Sequence, residues 1–112
     1  MPMTTKNTNK DAAALIYQLV KKIPKGKVST YGAIGKAIGV HPRIVGFALT
    51  HSHQITKIPA HRVVNHKGIL TGKFHFETID TMQSLLEAEG ISIQNDQILN
   101  FKSYFWDPLQ HL

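Results

Sequence analysis

Residues 29–50 read STYGAIGKAIGVHPRIVGFALT and predict the central structural motif of the chain. Its apolar residues recur at helical spacing on either side of a break at Gly39, which predicts one helix over about residues 30–37 and another over about residues 42–50. Pro42 suits the first turn of the second helix, because that turn leaves its amide hydrogens unpaired and proline has none. Two short helices joined by a tight turn are typical of a helix-turn-helix, which many nucleic-acid-binding proteins use.

Further helices flank this pair on both sides. Apolar spacing predicts a helix over about residues 10–22, after a polar stretch at residues 1–9 that we expect to be a flexible tail. A fourth helix is predicted from about Thr78 to Gly90, where the glycine ends it. Its expected buried stripe consists of Ile79, Met82, Leu85 and Leu86. Apart from the tail, we expect a single domain over residues 10–112.

Short extended pieces complete the predicted domain. Residues 63–64 are two β-branched valines, and residues 91–93 and 97–101 predict two strands around a turn at residues 95–96, which would form a wing. The aromatic run at residues 104–108 is expected to pack back on the domain. The predicted fold class is therefore mostly α with short β pieces, a winged helix-turn-helix-like domain.

Charge is unevenly distributed along the chain. Its 112 residues include 13 Lys and Arg against seven Asp and Glu, a net charge of +6. Residues 12–76 carry eight Lys, two Arg and no acid, whereas residues 77–112 carry six acids and one Lys. A basic stretch of this length creates a positive field that favours a polyanion such as nucleic acid. An anionic membrane fits less well, since glycines interrupt the stretch and no long basic amphipathic helix is predicted.

Composition excludes several other classes of protein. The 42% apolar and 18% charged residues are typical of a folded globular chain, and no apolar run is long enough to span a bilayer. The polar N-terminus lacks the hydrophobic region of a signal peptide, which predicts a cytoplasmic protein. Because there is no Cys, a disulfide, a zinc ribbon, an iron–sulfur cluster and a cysteine nucleophile are all excluded. His51 and His53 form a close pair without an evident third ligand, so we expect neither a metal nor another cofactor.

The segment IPAHRVV at residues 58–64 resembles the active-site motif Pro-Cys-His-Arg-Val of O6-alkylguanine-DNA alkyltransferases, with Ala60 at the cysteine position. Four other segments resemble the same family: GKVSTYG at residues 26–32, RIVG at residues 43–46, LLEAEG at residues 85–90 and YFWDP at residues 104–108. The resemblance covers roughly residues 10–108 and does not include the N-terminal domain of the full repair enzymes. A chain of this kind with the cysteine replaced is similar to alkyltransferase-like proteins, and the implied fold is the alkyltransferase C-terminal type.

This resemblance implies how the helix-turn-helix would meet DNA. The helix pair would dock in the minor groove, where the small residues Gly46 and Ala48 would allow a close approach. Arg43 would fill the gap that an extruded nucleotide leaves in the base stack. Tyr31 would crowd the 3′ phosphate and help to rotate that nucleotide outward.

The resemblance also implies a pocket for the extruded base. Its expected residues are Tyr31, Ala60, His61, Arg62, Val63 and Lys73. A histidine and a glutamate assist the cysteine in the enzymes; here His61 and Glu89 occupy those positions and have no nucleophile to activate. A structural role for Glu89 is the open alternative, and we expect Arg62 to brace the pocket loop rather than to read a base. Lys73 lies where related non-enzymatic proteins place a basic residue near the lesion.

The sequence therefore predicts a non-enzymatic DNA damage recognition protein that binds O6-alkylguanine in duplex DNA and flips it without alkyl transfer. The expected partners are double-stranded DNA with this lesion and nucleotide excision repair proteins, and the expected state is a monomer. The bound protein would flag the lesion for excision or block the alkyltransferase. Two alternatives remain open: a helix-turn-helix transcriptional regulator, and a DNA repair enzyme of other chemistry that uses Glu89 or His61.

Overall fold

A computed structural model describes residues 8–52 and 57–111, with side chains from residue 12 onward. Its helices are α1 (Thr8–Val20), α2 (Tyr31–Ile38), α3 (Pro42–Thr50), α4 (Thr81–Ala88) and α5 (Phe101–Tyr104). Its strands are β1 (Ser29–Thr30), β2 (Val63–Val64), β3 (Ile93–Gln94) and β4 (Gln97–Ile98), and 3-10 turns cover Ala60–Arg62, Thr71–His75 and Pro108–Gln110. In the described ranges no helix has the length and apolar character needed to cross a membrane.

The first helix begins and ends about two residues earlier than predicted. It starts at Thr8, so the last two residues of the predicted tail are helical, while residues 1–7 lie outside the described part of the chain. Its buried face includes Ile16, Leu19 and Val20, which pack against α2 and α3. Because this face contacts both α2 and α3, it supports the helix-turn-helix.

The helix-turn-helix forms as predicted. The Thr30 hydroxyl oxygen caps α2 by accepting a hydrogen bond from the Ala33 amide at 2.9 Å. The helix stops at Gly39, which has a φ of +92° that favours glycine. At Gly35 a Cβ would lie 2.5 Å from the carbonyl oxygen of Val40, so only glycine allows the turn to pack this tightly. The second helix of the pair, α3, has the predicted bounds.

Two buried apolar clusters meet at a short parallel strand pair. The first cluster joins α1, α2 and α3 and includes Ile34, Val45 and Val63. The second lies beneath α4 and the C-terminal strands and includes Val64 and Met82. Because successive side chains of a strand point to opposite faces, the two adjacent valines of β2 belong to different clusters.

This strand pair brings distant parts of the sequence together. β1 pairs with β2 in parallel and leads directly into α2, which begins with Tyr31. β2 follows directly on the 3-10 turn Ala60–Arg62. The start of the helix-turn-helix and the motif around Ala60 are therefore held side by side.

The fourth helix, α4, differs from the prediction in the residue at which it begins and in the residues that it buries. It begins at Thr81 rather than near residue 78, because Thr78 and Thr81 hold the preceding residues in a turn through their side chains. Ile79 therefore precedes the helix and is 58% exposed. Leu85 is 40% exposed, since two helical turns bury only the narrow line formed by Met82 and Leu86.

The predicted wing forms but is shorter than expected. β3 and β4 pair antiparallel across a two-residue turn, in which Asn95 and Asp96 have φ values of 52° and 62°. Positive φ at both positions is typical of a type I′ hairpin turn. The predicted second strand does not reach Phe101, because α5 begins there.

The aromatic C-terminal run packs back on the domain, as predicted. The Trp106 amide donates to the carbonyl of Val28 at 2.7 Å, and the Val28 amide donates to the carbonyl of Tyr104 at 2.9 Å. Trp106 is buried in the first cluster, while Phe105 remains 36% exposed. These bonds tie the run to the residue that precedes β1.

Candidate nucleic-acid interface

A cleft of about 400 Å³ opens between α3 and the 3-10 turns Ala60–Arg62 and Thr71–His75. This volume lies in the range of small-molecule pockets, about 300–1,000 Å³. The residues that line it are Tyr31, Arg43, Gly46, Phe47, Leu49, Thr50, Ala60, Thr71, Gly72, His75 and Phe76. This lining contains no carboxylate.

Tyr31 lines the cleft from the first residue of α2. Burial raises the pKa of its hydroxyl, and a hydrogen bond with Thr71 partly opposes that rise. A Cβ at Gly72 would lie 2.9 Å from the Tyr31 hydroxyl oxygen, so glycine at position 72 leaves room for the tyrosine. At Gly46 a Cβ would lie 3.9 Å from the Tyr31 ring, an ordinary contact distance. Internal packing therefore does not require the glycine at position 46.

Arg43 lies at the exposed start of α3 and lines the cleft. Its backbone amide donates to Nδ1 of His41, which caps the helix at 3.0 Å. Within the described residues its guanidinium forms no ion pair. An arginine at this position can offer its planar fork of donors to a ligand in the cleft.

Ala48 does not lie on the same face as Arg43 and Gly46. It is buried, and its carbonyl oxygen accepts a hydrogen bond from the Tyr17 hydroxyl of α1 at 2.7 Å. The expected groove contact therefore falls on a residue that faces the core. The neighbouring Phe47 is 65% exposed and lines the cleft.

Glu89, the C-cap of α4, lies at the centre of a partly buried hydrogen-bond cluster. Its carboxylate accepts hydrogen bonds from Nε2 of His61 at 2.7 Å, from the Gly26 amide at 2.9 Å, and from Arg62, whose Nη2 is 2.9 Å away. Nε of Arg62 also donates to this carboxylate, at 3.1 Å, and its third guanidinium nitrogen, Nη1, donates to the carbonyl of Ile23 at 2.9 Å. The cluster therefore fastens the Ala60–Arg62 turn to the segment that follows α1 and to the end of α4.

The cluster perturbs both of its titrating members. Burial by itself would raise the pKa of Glu89, but the hydrogen bonds from Arg62, Gly26 and His61 outweigh burial and lower it to about 2. Burial lowers the pKa of His61, and its hydrogen bond to Glu89 only partly compensates. At neutral pH the charged Glu89 carboxylate therefore accepts a hydrogen bond from Nε2–H of a neutral His61.

Lys73 lies beside the cleft rather than on its wall. Its ammonium group pairs with the carboxylate of Asp96 in the wing turn and lies 5.3 Å from the centre of the Phe74 ring. This ion pair ties the 3-10 turn Thr71–His75 to the wing. From this part of the chain, His75 and Phe76 line the cleft instead.

Of the six predicted pocket residues, the structure places Tyr31 and Ala60 on the wall of the cleft. His61 and Arg62 lie behind the wall in the Glu89 cluster, and Val63 is fully buried in the first apolar cluster. Sequence reasoning missed several wall residues: Phe47, Thr71, Gly72, His75 and Phe76. Helical spacing of four from Arg43 could have indicated the first, whereas the others lie in a stretch without periodicity.

Metal binding has no support in the described part of the chain. There, no group of three or more His, Asp or Glu side chains comes together as a metal site. Nδ1 of His51 lies 3.0 Å from the carbonyl oxygen of Phe47, in its own helix. His53, the other member of the predicted pair, lies outside the described residues.

Comparisons with known proteins agree on one family. The family model for the DNA-binding domain of 6-O-methylguanine DNA methyltransferase matches residues 11–91. Alkyltransferase-like protein 1 of Schizosaccharomyces pombe is 36% identical over 99 residues, which cover 83% of this chain and 92% of that protein. A DNA base-flipping protein of Vibrio parahaemolyticus is 38% identical over 95 residues, with 83% and 93% covered.

Solved structures show the same fold. S. pombe Atl1 in complex with damaged DNA containing O6-carboxymethylguanine superposes with a TM-score of 0.77 at 34% identity, covering 95% of this chain and 98% of that one. The O6-methylguanine methyltransferase of Mycobacterium tuberculosis gives a TM-score of 0.57 at 30% identity, covering 79% of this chain and 50% of the enzyme. These likenesses confirm the predicted fold class of the alkyltransferase C-terminal type. The chain therefore belongs to the 6-O-methylguanine DNA methyltransferase DNA-binding family and, with Ala60 at the cysteine position, to its alkyltransferase-like members.

Proposed function

We propose that this protein recognises O6-alkylguanine in duplex DNA, flips the damaged nucleotide into the cleft and holds it there without alkyl transfer. The observation that carries the proposal is the cleft itself. Tyr31 and Arg43 line it from the helix-turn-helix, and Ala60, at the nucleophile position of the motif, lines it from the opposite turn. The site thus keeps the parts that would extrude and hold a base and lacks the atom that would react with it.

Charge supports DNA as the ligand. Seven of the eight lysines in residues 12–76 are exposed, and the cleft lining contains Arg43 and no carboxylate. Such a surface attracts phosphates without regard to base sequence and makes binding sensitive to salt. S. pombe Atl1, which is similar over almost the whole chain, has been crystallised with damaged DNA.

Flipping assigns separate tasks to Arg43 and Tyr31. Unstacking a nucleotide costs on the order of a few kcal/mol, and less where a damaged pair is already weakened. Arg43, exposed at the start of α3, would occupy the gap in the stack and donate hydrogen bonds to the orphaned base. Tyr31, held by Gly72 and Thr71, would meet the phosphate 3′ to the lesion.

Alkyl transfer is excluded by the chemistry of the chain. Transfer by the family's route needs a thiolate lone pair to attack the alkyl carbon, and this sequence has no Cys. The methyl group of Ala60 cannot accept an alkyl group. His61 and Glu89, which would activate a thiol in the enzymes, here fasten the turn that carries Ala60.

The two alternative functions receive less support from the geometry. A glycosylase that used Glu89 or His61 would need one of them to face the flipped nucleotide, yet neither lines the cleft and the two bond to each other behind its wall. A transcriptional regulator would use the helix-turn-helix and would have no need of the cleft beside it. We further propose that the protein acts as a monomer in the cytoplasm or nucleoid, where the bound complex flags the lesion for nucleotide excision repair or blocks an alkyltransferase.

A paired titration tests the proposal. The protein is titrated into a fluorescent duplex with one O6-methylguanine and into its unmodified twin, and the recovered DNA is then analysed by mass spectrometry. We expect tighter binding to the lesion and a lesion that is recovered intact. Equal affinity for the two duplexes would refute lesion recognition, and released base or restored guanine would identify an enzyme.

A further inference from the structure

The DNA-facing side of α3 carries an exposed aromatic residue. Phe47 is 65% exposed and lies four residues after Arg43, one helical turn further along the same face. Arg43, Gly46, Phe47 and Thr50 all line the cleft. A phenyl ring therefore projects from the surface that the proposed function directs toward the duplex.

Internal packing does not account for this ring. The buried residues of α3 are Val45, Ala48 and Leu49. Phe47 borders the cleft on one side and a cavity of about 130 Å³ beside α1 on the other, so it forms a ridge between two concave surfaces. The His51 ring, 4.6 Å away between centres, supports it from the following turn. This contact limits the ring's freedom before any DNA arrives.

We propose that Phe47 is a second wedge, which inserts beside a base step close to the nucleotide that Arg43 replaces. Apolar side chains that enter the minor groove partly unstack base pairs and bend the duplex. Four residues of α-helix span about 6 Å, and base pairs are about 3.4 Å apart, so Phe47 would meet the DNA within about two base pairs of the flipped nucleotide. The inference rests on the proposed function, because it uses the same docking face.

The expected task of Phe47 differs from that of Arg43. A phenyl ring has no hydrogen-bond donor with which to satisfy an orphaned base, but it stacks on any base. Its removal should therefore weaken binding to damaged and undamaged duplexes alike, by about 5- to 100-fold, and leave the ratio between them unchanged. Removal of Arg43 should instead reduce the ratio.

The experiment compares Phe47→Ala with a matched control, Phe74→Ala. Phe74 is the other strongly exposed phenylalanine, at 71%, and it does not line the cleft. Affinity is measured for both duplexes, and 2-aminopurine is placed in turn at the first and second positions on each side of the lesion. We expect wild type and Phe74→Ala to raise its fluorescence at one of these positions, and Phe47→Ala to lose both that signal and affinity.

Two results would overturn the wedge. One is wild-type affinity of Phe47→Ala for both duplexes, and the other is reduced affinity with 2-aminopurine signals that match those of wild type. Thermal unfolding checks that the variants are folded, and Phe47→Gln, a polar side chain that forms helix well, carries the same comparison if the alanine variant is not. Failure of the proposed function is distinguishable, because it shows as equal affinity of the wild-type protein for damaged and undamaged DNA.

Discussion

Replacing Glu89 with glutamine should destabilise the folded protein strongly at neutral pH. The carboxylate accepts hydrogen bonds from Arg62, His61 and the Gly26 amide, and its side chain is only 8% exposed. A glutamine keeps one acceptor oxygen and turns an NH₂ group toward these donors. Two donors that face each other cannot bond, so at least one of the three partners is left unpaired.

The pKa of Glu89 gives the size of the expected loss of stability. A change from 4.5 to about 2 on folding corresponds to about 3 kcal/mol of stability, and an allowance for solvent screening reduces this to about 2–3 kcal/mol. For a domain of this size, such a loss lowers the Tm by on the order of 10 °C. Because the pKa is depressed in the folded state, the contribution is complete above about pH 5 and is lost as the pH falls toward 2.

Urea unfolding followed by fluorescence provides the assay, since Trp106 is the only tryptophan and is buried. Wild type and Glu89→Gln are compared at pH 7, 5, 4 and 3. We expect the free energies of unfolding of the two proteins to differ by about 2–3 kcal/mol at pH 7, and this difference to become smaller below pH 5. The depressed pKa of His61 also makes the stability of wild type fall as the pH drops below about 6.5, and the substitution alters this contribution because Glu89 bonds to His61. The difference between the two proteins is therefore assigned to the Glu89 cluster as a whole.

Glu87→Gln is the matched control, because Glu87 lies in the last turn of α4, is exposed, and its carboxylate accepts a hydrogen bond from Gln83 rather than from the cluster. Its substitution should cost a few tenths of a kcal/mol. A Glu89→Gln variant that costs no more than this control, or a gap that stays constant down to pH 3, would refute the reasoning. Lesion preference should survive in the folded variant, since Glu89 does not line the cleft.

Three further predictions concern the cleft. Arg43→Ala should remove most of the lesion preference, on the order of tenfold in the affinity ratio measured by fluorescence anisotropy; a variant that discriminates as wild type does would exclude the gap-filling role. Gly72→Ala should lower the Tm and weaken lesion binding, because its Cβ would lie 2.9 Å from the Tyr31 hydroxyl, and in a Tyr31→Phe background the same substitution should have little effect on Tm. Affinity for either duplex should fall steeply between 50 and 200 mM salt, by on the order of 10³-fold or more if six phosphates are neutralised, and a flat response would contradict the assignment of the basic stretch.

Local signals were sufficient for the helix-turn-helix and the wing. Gly39 and Pro42 mark the turn between α2 and α3, and the structure gives α3 the predicted bounds. The wing turn at residues 95–96 was likewise evident, because a two-residue hairpin turn depends on the residues within it. The start of α4 was less predictable, because the spacing of apolar residues does not reveal the side-chain hydrogen bonds within residues 78–81 that keep this segment out of the helix.

The composition of the site was only partly predictable. The motif indicated Ala60, and spacing together with the motif indicated Tyr31 and Arg43, all of which line the cleft. Lys73 was expected at the lesion, but it pairs with Asp96, 23 residues further along the chain. Ala48 was expected at the groove, but its helical position buries it in the first apolar cluster.

The sequence was sufficient to predict the family, the helix-turn-helix, the excess of positive charge and the absence of a nucleophile, because each of these depends on residue identity or on spacing within short segments. The packing of the chain was needed to show that Glu89 fastens the Ala60–Arg62 turn, that Lys73 lies beside the cleft, and that Phe47 is exposed at its edge. The physical reason is that a polar side chain bonds to whichever partner the packed clusters bring within about 3 Å, and here those partners lie 23 to 63 residues away in the chain.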